Sequence, residues 1–191
     1  MNKSIRKLED DVDYVLIDEQ RLQARTEEIA HLMMADYKTE EDLLLICVLK
    51  GGYIFLADLS RALGRSHEID FMAISSYGAG TKSSGAVQII MDLKSPIIDR
   101  NVLIIEDIID SGRTLQYMRA SLLARGPKSV RICSLLSKPS RREVDVPVDY
   151  TGFEIPDEFV VGYGLDFAEE YRNLPYIAVL KPEVFAHLNE E

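Results

Sequence analysis

A chain of 191 residues (21.6 kDa) with 47% hydrophobic residues can bury a sizeable core, so one domain with a small appended flap is expected. The formal net charge of -10 and the pI of about 4.8 argue against nucleic acid or an anionic membrane as the main partner, since both require a basic face. The opening MNKSIRKLEDDVDYV has no apolar signal core and no run approaches the ~20 apolar residues of a membrane span, so a cytosolic protein is expected.

After the polar start, Asp18 can cap a helix running from about Glu19 to Tyr37, with Leu22, Ile29, Leu32 and Met33 approximating its apolar face. Leu43–Leu49 is a continuous apolar run, read as a strand buried on both faces. Gly51-Gly52 breaks it, and Tyr53–Leu63 reads as a helix. Asp70–Ser75 is a further strand. Tyr77–Gly85 (YGAGTKSSG) has three glycines and no periodicity, the pattern of a mobile loop. Val87–Met91 and Val102–Ile105 read as strands, and Thr114–Arg125 as a helix closed by Gly126-Pro127. Val130–Leu136 is another buried strand. Shorter ones are expected near Tyr150–Phe153, Phe159–Val161 and Tyr176–Leu180. Cys47 and Cys133 fall inside apolar strands, where buried, reduced thiols are expected. The alternation predicts an α/β fold with a mostly parallel central sheet flanked by helices. Ligands of such sheets bind beyond the carboxyl ends of the strands, which places Lys50-Gly51-Gly52, Glu106–Thr114 and Lys138 on one rim.

The stretch NVLIIEDIIDSGRTL (101–115) crowds Glu106, Asp107 and Asp110 against Ser111-Gly112-Arg113-Thr114. Backbone N–H groups at a helix N-terminus form a donor array suited to phosphate, and Gly112 permits close approach. GxxxxGK[ST] is absent, so this is no Walker loop. The carboxylates would repel a bare polyphosphate, so they must face something else on the ligand. Vicinal ribose hydroxyls or a divalent cation both fit. From Arg100 to Asp145 the chain carries nine Lys/Arg against five Asp/Glu, although the totals are 22 and 32. This net-basic segment hints at an anionic small molecule, while Arg119, Arg125, Lys128 and Arg131 are read as solvating a helix and its exit.

VLIIEDIIDSGRTL resembles the phosphoribosyl pyrophosphate (PRPP) signature of the type I phosphoribosyltransferases. VLKGGYIFLADL, SLLSKPSRR and GFEIPDEFVVGYGLDFAEEYRNLPYI resemble the hypoxanthine–guanine members, in order from about Asp42 to Leu180. The resemblance implies a purine-salvage transferase that moves the 5-phosphoribosyl group from PRPP to hypoxanthine or guanine, giving IMP or GMP and pyrophosphate. It implies Mg²⁺ as cofactor, a homodimer or homotetramer, and a hood segment near 138–175. Lys50, Gly51 and Gly52 resemble the pyrophosphate loop, where the peptide is often cis without proline. Glu106 and Asp107 would hold the ribose hydroxyls, directly or through Mg²⁺. Asp110 would be the general acid/base near N7 of the purine. Ser111, Gly112, Arg113 and Thr114 would cradle the 5′-phosphate, with Ile108 and Ile109 in the same segment; Arg113 sits at a variable position and is given no specific contact. Lys138 would donate to the 6-oxo group, Phe159 would stack on the base and Val160 would contact it through its backbone. Asp166 resembles a metal ligand and Arg172 a pyrophosphate-binding arginine. Ser76-Tyr77 and the loop to residue 86 resemble a lid. Two rivals keep the PRPP motif: an RNA-binding attenuator of pyrimidine genes, which needs a basic surface, and a sugar-phosphate pyrophosphokinase, which needs an ATP site.

Overall fold

The computed structural model describes residues 8–38, 42–76 and 87–185. A short 3-10 turn (Leu8–Asp11) leads into β1 (Val12–Ile17) and α1 (Glu19–Asp36). Asp18 caps α1, its Oδ1 accepting from the Arg21 N–H at 2.8 Å. There follow β2 (Leu43–Leu49), α2 (Tyr53–Ala62), β3 (Glu68–Ser76), β4 (Val87–Met91), β5 (Asn101–Ile109), α3 (Arg113–Leu123), β6 (Ser129–Ser137) and β7 (Tyr150–Glu154). These six strands form one sheet in the order β4-β3-β2-β5-β6-β7, parallel except for the β3–β4 edge pair. The expected α/β architecture is therefore present. β8 (Val160–Val161) and β9 (Ile177–Leu180) join β1 in a separate antiparallel sheet, ordered β1-β9-β8.

Alternation of side chains explains why β2 is apolar throughout. Leu43, Leu45 and Cys47 join a core with Leu22, Ile29 and Met33 of α1 and Phe55 and Leu59 of α2. Leu44, Ile46 and Val48 face the opposite core, with Leu115, Met118 and Leu122 of α3. Each fully buried side chain of this kind contributes roughly 1.5–3 kcal/mol. Cys47 and Cys133 are buried and unpaired, and burial pushes the Cys47 thiol up to about 12.

Several sequence expectations need correction. The polar start contains β1, whose partner β9 lies at the far end of the described chain. Leu32 is 53% exposed; the inward positions of α1 are Leu22, Thr26, Ile29, Ala30 and Met33. The buried Thr26 hydroxyl is satisfied by donating to the Leu22 carbonyl at 2.8 Å. β5 runs to Ile109 rather than stopping at Ile105. Of the 138–175 span, β7 completes the main sheet while β8 belongs to the small one. Tyr77 and the loop to residue 86 lie outside the described residues, and Ser76 ends β3.

Candidate active site

The extra length of β5 explains how its acids come to a rim. β5 pairs with β2 only as far as Cys47↔Ile105, but with β6 on through Glu106↔Ser134, Ile108↔Leu136 and Ile109↔Ser137. Past Ile105 the ladder to β2 ends, and the Lys50-Gly51-Gly52 turn comes down beside Asp107 instead. Glu106 Oε2 is shut off from solvent with no hydrogen-bond partner among the described residues. Burial pushes its carboxyl well above the usual carboxylate range, and the neighbouring Asp107 adds to the rise. Asp107 is pushed up to about 6, again chiefly by burial. The Ile108 N–H, donating to Asp107 Oδ1 at 2.9 Å, and the charge of Arg172 pull the other way.

The turn beside them has room only for glycine. A Cβ on Gly51 would lie 1.6 Å from Asp107 Oδ2, and one on Gly164 (φ 105°) would lie 2.1 Å from the Gly51 carbonyl oxygen. Gly51 is thus sandwiched between a carboxylate and a second glycine turn. A cis peptide without proline is present, at Leu49–Lys50, where β2 enters this turn. Arg172 joins the two turns. Its Nη1 donates to the Gly164 carbonyl at 2.8 Å, and its Nη2 lies 2.8 Å from Asp166 Oδ1.

On the other side of the acids the chain enters α3. Gly112 is the N-cap, in a left-handed conformation (φ 83°), and supplies no side chain to cap the first turn. The result is a small cavity of about 140 Å³, lined by Glu106, Ile108, Ile109, Asp110, Ser111, Gly112 and Thr114. A helix N-terminus left open in this way suits an anion. Arg113 turns aside to pair with Glu143, its Nε donating at 2.6 Å.

A second cavity, about 260 Å³, opens next to it between Ile108, Asp110, Lys138, Phe159, Val160 and Asp166. Lys138 is only 6% exposed, yet its ammonium faces carboxylates on two sides: Asp110 Oδ1 at 3.8 Å and Asp157 Oδ1 at 3.9 Å. Phe159 is half exposed and meets Phe167 edge-to-face at 5.6 Å. An aromatic held upright but not covered offers a stacking face. Among the described residues no group of three His, Cys, Asp or Glu forms a complete metal site. Asp107 and Asp166, close enough for the charge of one to raise the other's pKa, are oxygen donors suited to a hard cation that takes its remaining ligands from a bound molecule or water.

The phosphoribosyl transferase domain profile matches residues 17–168. The chain belongs to the phosphoribosyltransferase family. A hypoxanthine phosphoribosyltransferase of Escherichia coli K12 is 52% identical over 164 residues, covering 85% of this chain and 92% of that protein. The bifunctional protein TilS/HprT of Listeria innocua is 50% identical over 179 residues, covering 94% of this chain; the chain spans 28% of that protein's length. A crystal structure of a hypoxanthine phosphoribosyltransferase from Staphylococcus aureus superposes with a TM-score of 0.90 at 45% identity, covering 97% of this chain and all of that one.

In this chain Lys50, Gly51, Asp107, Asp166 and Arg172 lie around one opening, while Glu106, Asp110, Ser111, Gly112, Thr114, Lys138, Phe159 and Val160 line the two cavities beside it. Gly52 lies behind the turn, where an added Cβ would meet Cys47 Sγ and the Ile105 carbonyl at 3.2 Å. Arg113 faces away from the opening. The sequence reading passed over Asp157, Gly164 and Glu169. Gly164 sits in the G-Y-G that follows β8, and two glycines one residue apart are a signal for close backbone approach; nothing local distinguishes Asp157 or Glu169 from surface acids.

Proposed function

We propose that this chain transfers the 5-phosphoribosyl group of PRPP to hypoxanthine or guanine, releasing pyrophosphate and forming IMP or GMP. The observation that carries the reading is the adjacency of two cavities that share Ile108 and Asp110, one at a helix N-terminus with an unpartnered Glu106 oxygen and one a half-apolar slot containing a buried lysine. In this reading the first turn of α3 receives the 5′-phosphate and Glu106 and Asp107 accept from the ribose hydroxyls. The purine lies on Phe159 against Val160, and Lys138, which has only donors to offer, meets its 6-oxo acceptor. Asp110 takes or returns a proton at N7. Lys50, the Gly51-Gly52 backbone and Arg172 receive the pyrophosphate. Mg²⁺, held by Asp107 and Asp166, would neutralise charge on the departing pyrophosphate. Buried carboxylates beside the sugar stabilise positive charge as it develops there.

An RNA-binding attenuator is less well supported, because the chain is acidic and carries a cavity with a buried lysine beside a half-exposed aromatic, which that role does not call for. A homodimer or homotetramer belongs to the same reading, as does a cytoplasmic setting; no described helix is long and apolar enough to cross a membrane. The test is to incubate the purified chain with PRPP, Mg²⁺ and each base separately, following nucleotide and pyrophosphate. Hypoxanthine and guanine should react, with adenine poorer by roughly 10⁴-fold, because its 6-amino group would set donor against donor at Lys138. Equal use of adenine and hypoxanthine would remove Lys138 as selector. No nucleotide with any base would overturn the reading.

A further inference from the structure

A carboxylate with no role so far stands between the two cations assigned to pyrophosphate. Glu169 Oε2 accepts from Lys50 Nζ at 2.8 Å and lies 3.3 Å from Arg172 Nη2. The turn that presents it is unusual. Ala168, Glu169 and Tyr171 all take left-handed backbone (φ 52°, 66° and 70°), although none is glycine. Such a turn persists only where its surroundings hold it, and here the Glu169 N–H donates to Asp166 Oδ2 at 2.9 Å while Asp166 Oδ1 grips Arg172. Lys50, then Arg172, hold the Glu169 carboxyl below its ordinary range, so it is ionised at neutral pH. The Lys50 and Glu169 side chains are 64% and 65% exposed, so their contact can open without disturbing a core.

One carboxylate oxygen shared by an ammonium and a guanidinium reproduces what a terminal phosphate oxygen would receive from the same pair. We propose that Glu169 is a resident anion, seated between Lys50 and Arg172 when the site is empty, which incoming pyrophosphate or the pyrophosphate arm of PRPP must displace. The proposal rests on the reading of Lys50 and Arg172 as the pyrophosphate seat. Its consequence is a site that keeps its two cations aligned without a ligand and holds its product less tightly. One competing charge at a water-exposed site is worth about three- to tenfold in affinity.

The test is calorimetric binding of inorganic pyrophosphate to the full chain and to Glu169→Gln, which keeps size and backbone preference and removes the charge. Binding is measured with and without Mg²⁺, at low and high KCl. The variant should bind pyrophosphate about three- to tenfold more tightly, and the gap should narrow as salt screens the competing charge, a response that a purely structural residue would not give. Unchanged or weaker binding in the variant overturns the proposal; weakening confined to the Mg²⁺ series would make Glu169 a contributor to metal binding instead. Lys50→Ala and Arg172→Ala serve as controls. If neither weakens pyrophosphate binding, the seat itself is misassigned and the resident anion falls with it. If they weaken it while Glu169→Gln changes nothing, only the resident anion fails.

Discussion

At the rim where β2 and β5 begin, Arg100 closes on two carboxylates. Its Nη2 donates to Asp42 Oδ1 at 2.9 Å, and its Nη1 lies 3.0 Å from Glu68 Oε2. Asn101 reaches across to the Asp42 carbonyl at 3.1 Å, and Ser129 donates to Asn101 at 2.8 Å. At the rim where the same strands end, Glu106 has an orphaned oxygen and Asp107 relies on backbone N–H groups, its own and that of Ile108, and the charge of Arg172. The carboxylates respond in opposite directions: Arg100 holds Asp42 below the usual range, whereas burial lifts Asp107 to about 6 and Glu106 upward. The first rim is electrically complete within the chain. The second leaves a buried acceptor unpartnered among the described residues and its carboxyls lifted, the pattern expected of a ligand site.

Four measurements press on this contrast. The largest effect is expected for Asp110→Asn, which keeps the shape but removes a proton acceptor and should lower the single-turnover rate by roughly 10²–10⁴-fold with PRPP affinity little changed. An unaltered rate would remove Asp110 from the chemistry. Gly51→Ala should cost about 10²-fold in kcat/KM, because the new methyl collides with Asp107 and shifts groups that must be held in place. Wild-type kinetics with an intact fold would show that the tight turn has no bearing on the reaction.

The third is a pH profile. Asp107 is protonated below about 6 in the free chain, so KM for Mg-PRPP should rise about tenfold per unit as pH falls below that value. A flat profile from pH 7 to 5 would break the link between the lifted carboxyl and its ligand. The smallest effect is on stability, and its sign is the sharper test. A carboxyl whose pKa is raised by folding binds its proton more tightly in the folded state, so its contribution grows as pH falls from about 6 toward 4 and is unfavourable at pH 7. Asp107→Asn should therefore stabilise the free chain at pH 7 by about 1–2 kcal/mol in denaturant titrations. Asp42→Asn should destabilise it by up to about 1 kcal/mol, a figure discounted because that side chain is half exposed. Changes of the same sign would erase the distinction between the rims.

Much of the working rim could be read from residue types. Acids beside a Ser-Gly-Arg-Thr turn, a Gly-Gly after an apolar strand and a lysine at a strand end are local patterns, and local patterns survive without a structure. The unbroken apolar run of β2 likewise announced a strand buried on both faces. What stayed hidden depends on distant partners. β1 reads V-D-Y-V-L-I with its middle exposed, and is a strand because β9 pairs with it. The last four residues of β5 include two acids and pair on one side only, so neither composition nor alternation extended the strand to them. Leu32 fitted a coarse helical stripe but projects to solvent at 53% exposure. Glu169 acquires significance only through Lys50, which lies 119 positions away.

The pairing of β1 with β9 has a consequence for the order in which the molecule can be made. Val12 is in register with Leu180, and β9 in turn carries β8, whose Val160 forms a wall of the second cavity. The six-stranded sheet is built from residues between Leu43 and Glu154, whereas β1 pairs with β9 across all of them, so this ladder closes the longest loop and is expected to form after the main sheet. Until it closes, β8 has no ladder to hold it, and the second cavity lacks a wall while the first is already in place.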